Sequence, residues 1–115
     1  MTTYEEAYAR SMADPEGFWG EAADAIDWER PFDRVLDDSN PPFYHWYPGG
    51  ELNTCFNALD RHVDGGRADQ PALIYDSPVT GTTRRYTYRE LRDEAARFAG
   101  ALRSLGVDKG DRVVV

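Results

Sequence analysis

The sequence predicts an α+β fragment that belongs to a larger α/β domain. Three observations support this: helix-capping residues recur along the chain, two strand-like runs flank a short turn, and Val113–Val115 are continuously β-branched and apolar. Capping side chains satisfy the free N–H groups at helix starts, and uninterrupted β-branched runs are typical of strands buried in parallel sheets. Because such a strand needs neighbours, we expect these residues to be part of a longer protein.

Two helices are predicted at the N-terminus. Thr3 and Glu6 have the spacing of a capping box and begin a helix over residues 3–13. Asp14 suits the N-cap and Pro15 the first position of a second helix. Its expected apolar face comprises Phe18, Trp19, Ala22, Ala23 and Ile26.

Residues 29–50 contain four prolines and two glycines, so no long element can cross them. The segment also carries the rings of Phe32, Phe43, Tyr44, Trp46 and Tyr47. Exposed loops seldom hold so many aromatic residues, so we expect an extended arm that its rings pin onto a surface. That surface lies either within this chain or in residues outside it.

More regular elements follow. A helix is expected over residues 53–64, ended by Gly65 and Gly66, and a β-hairpin is expected from "QPALIYDS" and "TRRYTYR". Thr87 and Glu90 form a second capping box before a long amphipathic helix, which Gly106 and Val107 close as a Schellman motif. "DKGD" predicts a turn, and "RVVV" predicts the start of a buried strand.

The charge is unevenly distributed. Residues 1–40 contain eleven acids and three bases, 3 − 11 = −8, whereas residues 41–115 contain ten of each. This acidic segment would repel nucleic acid, and no basic stripe compensates for it. No apolar run is long enough to span a membrane, the N-terminus lacks a signal-peptide pattern, and there is one cysteine. We therefore expect a cytoplasmic protein that binds neither nucleic acid nor membrane.

The stretch "ELNTCFNALDRHV" invites a thiol-enzyme interpretation, because it holds Cys55 and His62. Seven helical residues separate them by roughly 10 Å, whereas a nucleophile and its base need about 3 Å. We therefore expect Cys55 to be a small buried hydrophobe beside Leu52, Phe56, Leu59 and Val63.

The polar residues of this stretch receive structural roles. Asn53, Asn57 and Asp60 line one helix face, where they either bond neighbouring backbone or form a solvated surface. Arg61 is expected to pair with a carboxylate of the acidic arm. Trp46 is also expected to have a structural role.

Neither a metal site nor a phosphate loop is predicted. His45, Cys55 and His62 match no metal-ligand spacing, and Thr80–Thr83 predict a hairpin turn rather than a phosphate loop. We predict no catalytic, cofactor-binding or metal-binding residue.

Several motifs resemble the start of short-chain acyl-CoA synthetases, of the adenylate-forming superfamily. "YTYREL" (86–91) and "LGVDKGDRVVV" (105–115) recur across that superfamily. Trp46, "GGELN" (49–53) and "NALDRHV" (57–63) narrow the resemblance to the acetate and propionate branch, and "DDSNPPF" (37–43) is closer to propionate–CoA ligases.

The resemblance implies an N-terminal extension over residues 1–64 and the beginning of the AMP-binding large domain over residues 65–115. It implies a full-length ligase that uses ATP, Mg²⁺ and CoA to make an acyl-adenylate and then a thioester. In that family the nucleotide, acyl, CoA and catalytic residues lie downstream of these positions, so the fragment alone should be inactive. Its expected partner is the rest of its own polypeptide, with a homo-oligomer as an open alternative. A rival interpretation is a stand-alone protein-binding module that uses aromatic residues 43–47.

Overall fold

The computed structural model describes residues 2–114, which divide into two compact units. The first unit comprises the residues up to Thr54, and the second comprises the residues from Cys55 onward. The first unit contains two helices and four very short strands, and the second contains helical turns, a hairpin and a long helix. The predicted α+β class is therefore found within the described residues.

The two N-terminal helices confirm the capping predictions. Helix α1 spans Tyr4–Ala13, where the Thr3 hydroxyl accepts a hydrogen bond from the Glu6 N–H and the Glu6 carboxylate accepts one from the Thr3 N–H. Helix α2 spans Pro15–Ala23, and the Asp14 carboxylate accepts from the Gly17 N–H at 3.0 Å. The N–H of Asp14 also bonds to Arg10, so Asp14 ends one helix and caps the next.

The predicted extended arm is wrong in its shape. The segment folds back on itself as two nested antiparallel pairs: β1 (Trp28–Arg30) with β4 (Glu51–Leu52), and β2 (Leu36–Asp37) with β3 (His45–Trp46). Between the pairs, the Asp33 N–H donates to the Pro48 carbonyl and the Tyr47 N–H to the Val35 carbonyl. Prolines limit the length of each strand, but they do not prevent short strands from pairing across the loop.

An aromatic cluster packs within this folded loop. Of the five rings expected to pin the arm, Phe32, Trp46 and Tyr47 take part, whereas Phe43 and Tyr44 are 70% and 53% exposed. We define the cluster as Trp19, Trp28, Phe32, Trp46 and Tyr47. The rings of Trp28, Phe32 and Tyr47 lie 5.0–5.5 Å apart, centroid to centroid. The Trp28 indole N–H donates to the carbonyl of Ala23, which is only 4% exposed. A Cβ at position 50 would lie 2.7 Å from the Trp28 ring, so Gly50 permits this packing.

The second unit begins with helical turns at the position that the sequence predicted, but their type differs from the regular α-helix that was expected. The chain forms two π-helical turns, Phe56–Asp60 and Val63–Arg67. Gly66 adopts a left-handed φ of 84° and ends the helical geometry, as predicted. Because π-helical turns use i→i+5 hydrogen bonds, the α-helical spacing no longer sets the buried face. Cys55 is exposed, contrary to the predicted buried position.

A hairpin and a long helix complete the second unit as predicted. Strand β5 (Pro71–Ser77) pairs antiparallel with β6 (Thr82–Thr87), and helix α3 spans Tyr88–Ser104. Thr87 and Glu90 form the capping box. At the other end, Gly106 N–H donates to the Arg103 carbonyl and Val107 N–H to the Leu102 carbonyl, which are the two hydrogen bonds of a Schellman motif.

The predicted strand after α3 is the clearest error. The turn at Asp108–Asp111 forms, with the Asp111 N–H donating to the Asp108 carbonyl at 3.1 Å. Residues 112–114 are not a strand, and Val114 is 92% exposed rather than buried. A strand exists through hydrogen bonds to a neighbour, and no other strand of residues 2–114 pairs with these valines. The last residue of the prediction, Val115, lies outside the described residues.

Candidate functional site

The polar residues singled out from the sequence lie in both units. Asn53 lies in the first unit, and Asn57, Asp60 and Arg61 lie in the second. The Arg61 guanidinium donates to the Asn57 side-chain oxygen at 3.2 Å, across one helical turn, and both residues are partly buried. This bond links Arg61 to a residue of the same helical segment. The proposed contacts of Asn53 and Asp60 with neighbouring backbone, and of Arg61 with an acidic-arm carboxylate, stay predictions.

His62 has a contact that the sequence analysis missed. Its ring lies 4.8 Å from the Tyr88 ring, at an interplanar angle of 45°, and both residues are half-buried. Tyr88 is the first residue of α3. The contact therefore joins the helical turns of residues 56–67 to the start of the long helix. The sequence shows that both residues have rings, but nothing in their spacing along the chain indicates that the two rings are in contact.

The Thr80–Thr83 turn does not suit a phosphate group. The Thr80 N–H donates to the Ser77 hydroxyl at 3.4 Å, and the Thr82 hydroxyl donates to the Thr80 carbonyl at 3.3 Å. The Thr83 hydroxyl donates to the Asp76 carboxylate, whose charge would repel phosphate. The hairpin-turn prediction is confirmed, since these groups bond one another around Gly81. No step of ATP chemistry follows from this turn.

Trp46 lies in β3 and lines two cavities of the first unit. Its ring meets Trp19 edge-on, with centroids 6.1 Å apart and an interplanar angle of 72°, and lies 6.1 Å from Tyr47. These three residues line a cavity of about 360 Å³. The neighbouring cavity, of about 600 Å³, is lined by Ser11, Met12, Pro15, Trp19, Leu36, Tyr44 and Trp46. Sequence analysis singled out Trp46 but not Trp19 and Tyr47 as its partners.

The perturbed titratable groups mark caps, ion pairs and packing. The Thr87 backbone N–H and hydroxyl lower the pKa of Glu90, and hydrogen bonding by Ser39 lowers the pKa of Asp37. A hydrogen bond to the Glu21 carboxylate raises the pKa of Arg10, and burial raises the pKa of Tyr47. Three of these shifts are caused chiefly by hydrogen bonds within the chain, and the fourth is caused by burial.

Metal-binding clusters and membrane-spanning helices are both absent from the described residues. Within residues 2–114, no group of three or more histidine, cysteine, aspartate or glutamate side chains is arranged to hold a metal ion. None of the helices in this part of the chain is long and apolar enough to cross a membrane.

Two family models together match residues 4–115 of the chain without a gap. Residues 4–58 match "Acetyl-coenzyme A synthetase N-terminus", and residues 59–115 match "AMP-binding enzyme". The junction of the two family models lies between residues 58 and 59, and the division of the sequence into two compact units lies between Thr54 and Cys55. The domain boundary expected at 64/65 stays a prediction.

Individual relatives support the same assignment. An uncharacterized protein of Pseudomonas aeruginosa is 50% identical over 98% of this chain and 18% of its own length. Rat acyl-CoA synthetase short-chain family member 3, a mitochondrial protein, is 46% identical over 97% of this chain and 16% of its own. The acetyl-coenzyme A synthetase of Paraburkholderia phymatum is 45% identical over 100% of this chain and 17% of its own length.

A solved structure matches as well. Acetoacetyl-CoA synthetase from Streptomyces lividans aligns with a TM-score of 0.79 and 35% identity, over 98% of this chain and 17% of that one. This chain therefore spans less than a fifth of the length of these relatives. The sequence motifs, the two contiguous family matches and these relatives agree: the chain belongs to the adenylate-forming acyl-CoA synthetase family and corresponds to its N-terminal region.

Proposed function

We propose that this chain is the structural N-terminal part of an ATP-dependent short-chain acyl-CoA synthetase that acts on propionate. In the full-length protein, propionate and ATP would give propionyl-adenylate and pyrophosphate, and CoA would then give propionyl-CoA and AMP. ATP, Mg²⁺ and CoA would bind to residues outside this chain. The remainder of the polypeptide would be the partner of this region, and we propose a cytoplasmic location.

The observation that carries the synthetase part of this proposal is the pair of contiguous family matches over residues 4–115. The choice of propionate rests on the resemblance of "DDSNPPF" (37–43) to propionate–CoA ligases. The contacts of the described residues suit a structural role. The pKa of Glu90 is lowered by hydrogen bonds at a helix cap, and the pKa of Asp37 is lowered by hydrogen bonds from Ser39. The groups of the Thr80–Thr83 turn bond one another and Ser77.

Two alternatives remain, and each has a distinguishing feature. Acetate in place of propionate is favoured by the name of the Paraburkholderia phymatum relative, an acetyl-coenzyme A synthetase. A stand-alone protein-binding module is favoured by the exposure of Phe43, Tyr44 and Trp46. The intact mass of the native protein distinguishes a stand-alone module from part of a longer synthetase, because the module would have a mass close to 13.0 kDa.

A pyrophosphate-release assay tests the proposal. The 115-residue chain, given ATP, Mg²⁺, CoA and propionate, should release no pyrophosphate above background. The native full-length protein should do so with propionate, and its kcat/KM for acetate should be at least about tenfold lower, since one methylene in an apolar pocket discriminates by about that factor or more. Activity of the 115-residue chain would overturn the structural role, and a preference for acetate would overturn the substrate.

A further inference from the structure

We draw no further inference here: the strongest candidate, the open cavity of about 600 Å³ that lies between α1, α2 and the β2–β3 pair in the first unit, is an unpartnered apolar face, and nothing in the described residues shows what covers it.

Discussion

The two units of this chain are stabilised in different ways. In the first unit, rings from α2, β1, β3 and the loops between them meet in the aromatic cluster, and the paired strands are only two or three residues long. In the second unit, a hairpin and the long helix α3 follow one another directly, and the helix has a complete capping box and a Schellman motif.

The difference lies in the distance along the chain between interacting groups. The hydrogen bond from Tyr47 to Trp19 joins residues 28 positions apart, whereas Thr87 and Glu90 are three apart. Long-range contacts require the closure of a loop, and this costs entropy that local contacts avoid. We nevertheless expect substitutions in the aromatic cluster to have larger effects than substitutions at helix ends, because each ring removes a large apolar area from water, whereas a cap contributes about 1 kcal/mol.

Trp28→Ala should have the largest effect. It removes a ring that packs against both Phe32 and Tyr47, together with the hydrogen bond to the Ala23 carbonyl, so we expect a loss of about 3 kcal/mol in the free energy of unfolding. Urea unfolding, followed through the amide NMR signals of the first unit, measures this loss.

The control for Trp28→Ala is Phe43→Ala, which removes a ring that is 70% exposed in the same loop. Its effect should stay within about 0.5 kcal/mol. If both variants lose the same stability, the aromatic cluster is not what holds the first unit.

An intermediate effect is expected at two glycines of the second unit. Gly106 has a left-handed φ of 85°, so Gly106→Ala should destabilise the chain by about 1 kcal/mol. Gly100 lies inside α3 with no atom within 4 Å of an added Cβ, so Gly100→Ala should stabilise it by about 0.5–1 kcal/mol. Thermal unfolding followed by far-UV circular dichroism gives the melting temperatures of both variants. If both temperatures shift in the same direction, the different backbone roles assigned to Gly106 and Gly100 are wrong.

The smallest effect is expected at the capping box of α3, and it depends on pH. Thr87 holds the pKa of Glu90 below its ordinary value of 4.5. A carboxyl group whose pKa is lower in the folded state stabilises that state above the ordinary pKa, and this contribution is lost as pH falls through the lowered value.

Glu90→Gln removes that titration but keeps a side chain that can complete a capping box. The melting temperature of the unmodified chain should exceed that of the variant at neutral pH, and the difference should shrink below the ordinary pKa of 4.5. A difference that stays constant at all pH values would show that the Glu90 charge does not contribute.

The helix ends show how far sequence reasoning extends. Thr3 with Glu6, Asp14 with Pro15, Thr87 with Glu90, and Gly106 with Val107 were all identified from residues within four positions of each other, and all occur in the structure. The pairing of Leu36 with Trp46 was not foreseen, because the prolines between 29 and 50 suggested an extended segment. The contact between the rings of His62 and Tyr88 was not foreseen either.

The errors at Cys55 and at Val113–Val114 have a common cause. Both predictions inferred burial from apolar patterning, and both places are exposed in the structure. A pattern indicates which residues would gain from burial, but a packing partner must be present to cover them. At Cys55 the π-helical turns also changed the spacing on which the predicted face depended.

The sequence alone therefore determined where the three α-helices begin, how α3 ends, where the hairpin turns, and which family the chain resembles. Those features depend on residues that are close together in the sequence or on contiguous sequence motifs. Only the tertiary structure decided that residues 28–52 fold back as nested strands, and that Trp19, Trp46 and Tyr47 form an open corner. Such arrangements require rings distant in the chain to meet, and their packing, rather than local preference, sets the geometry.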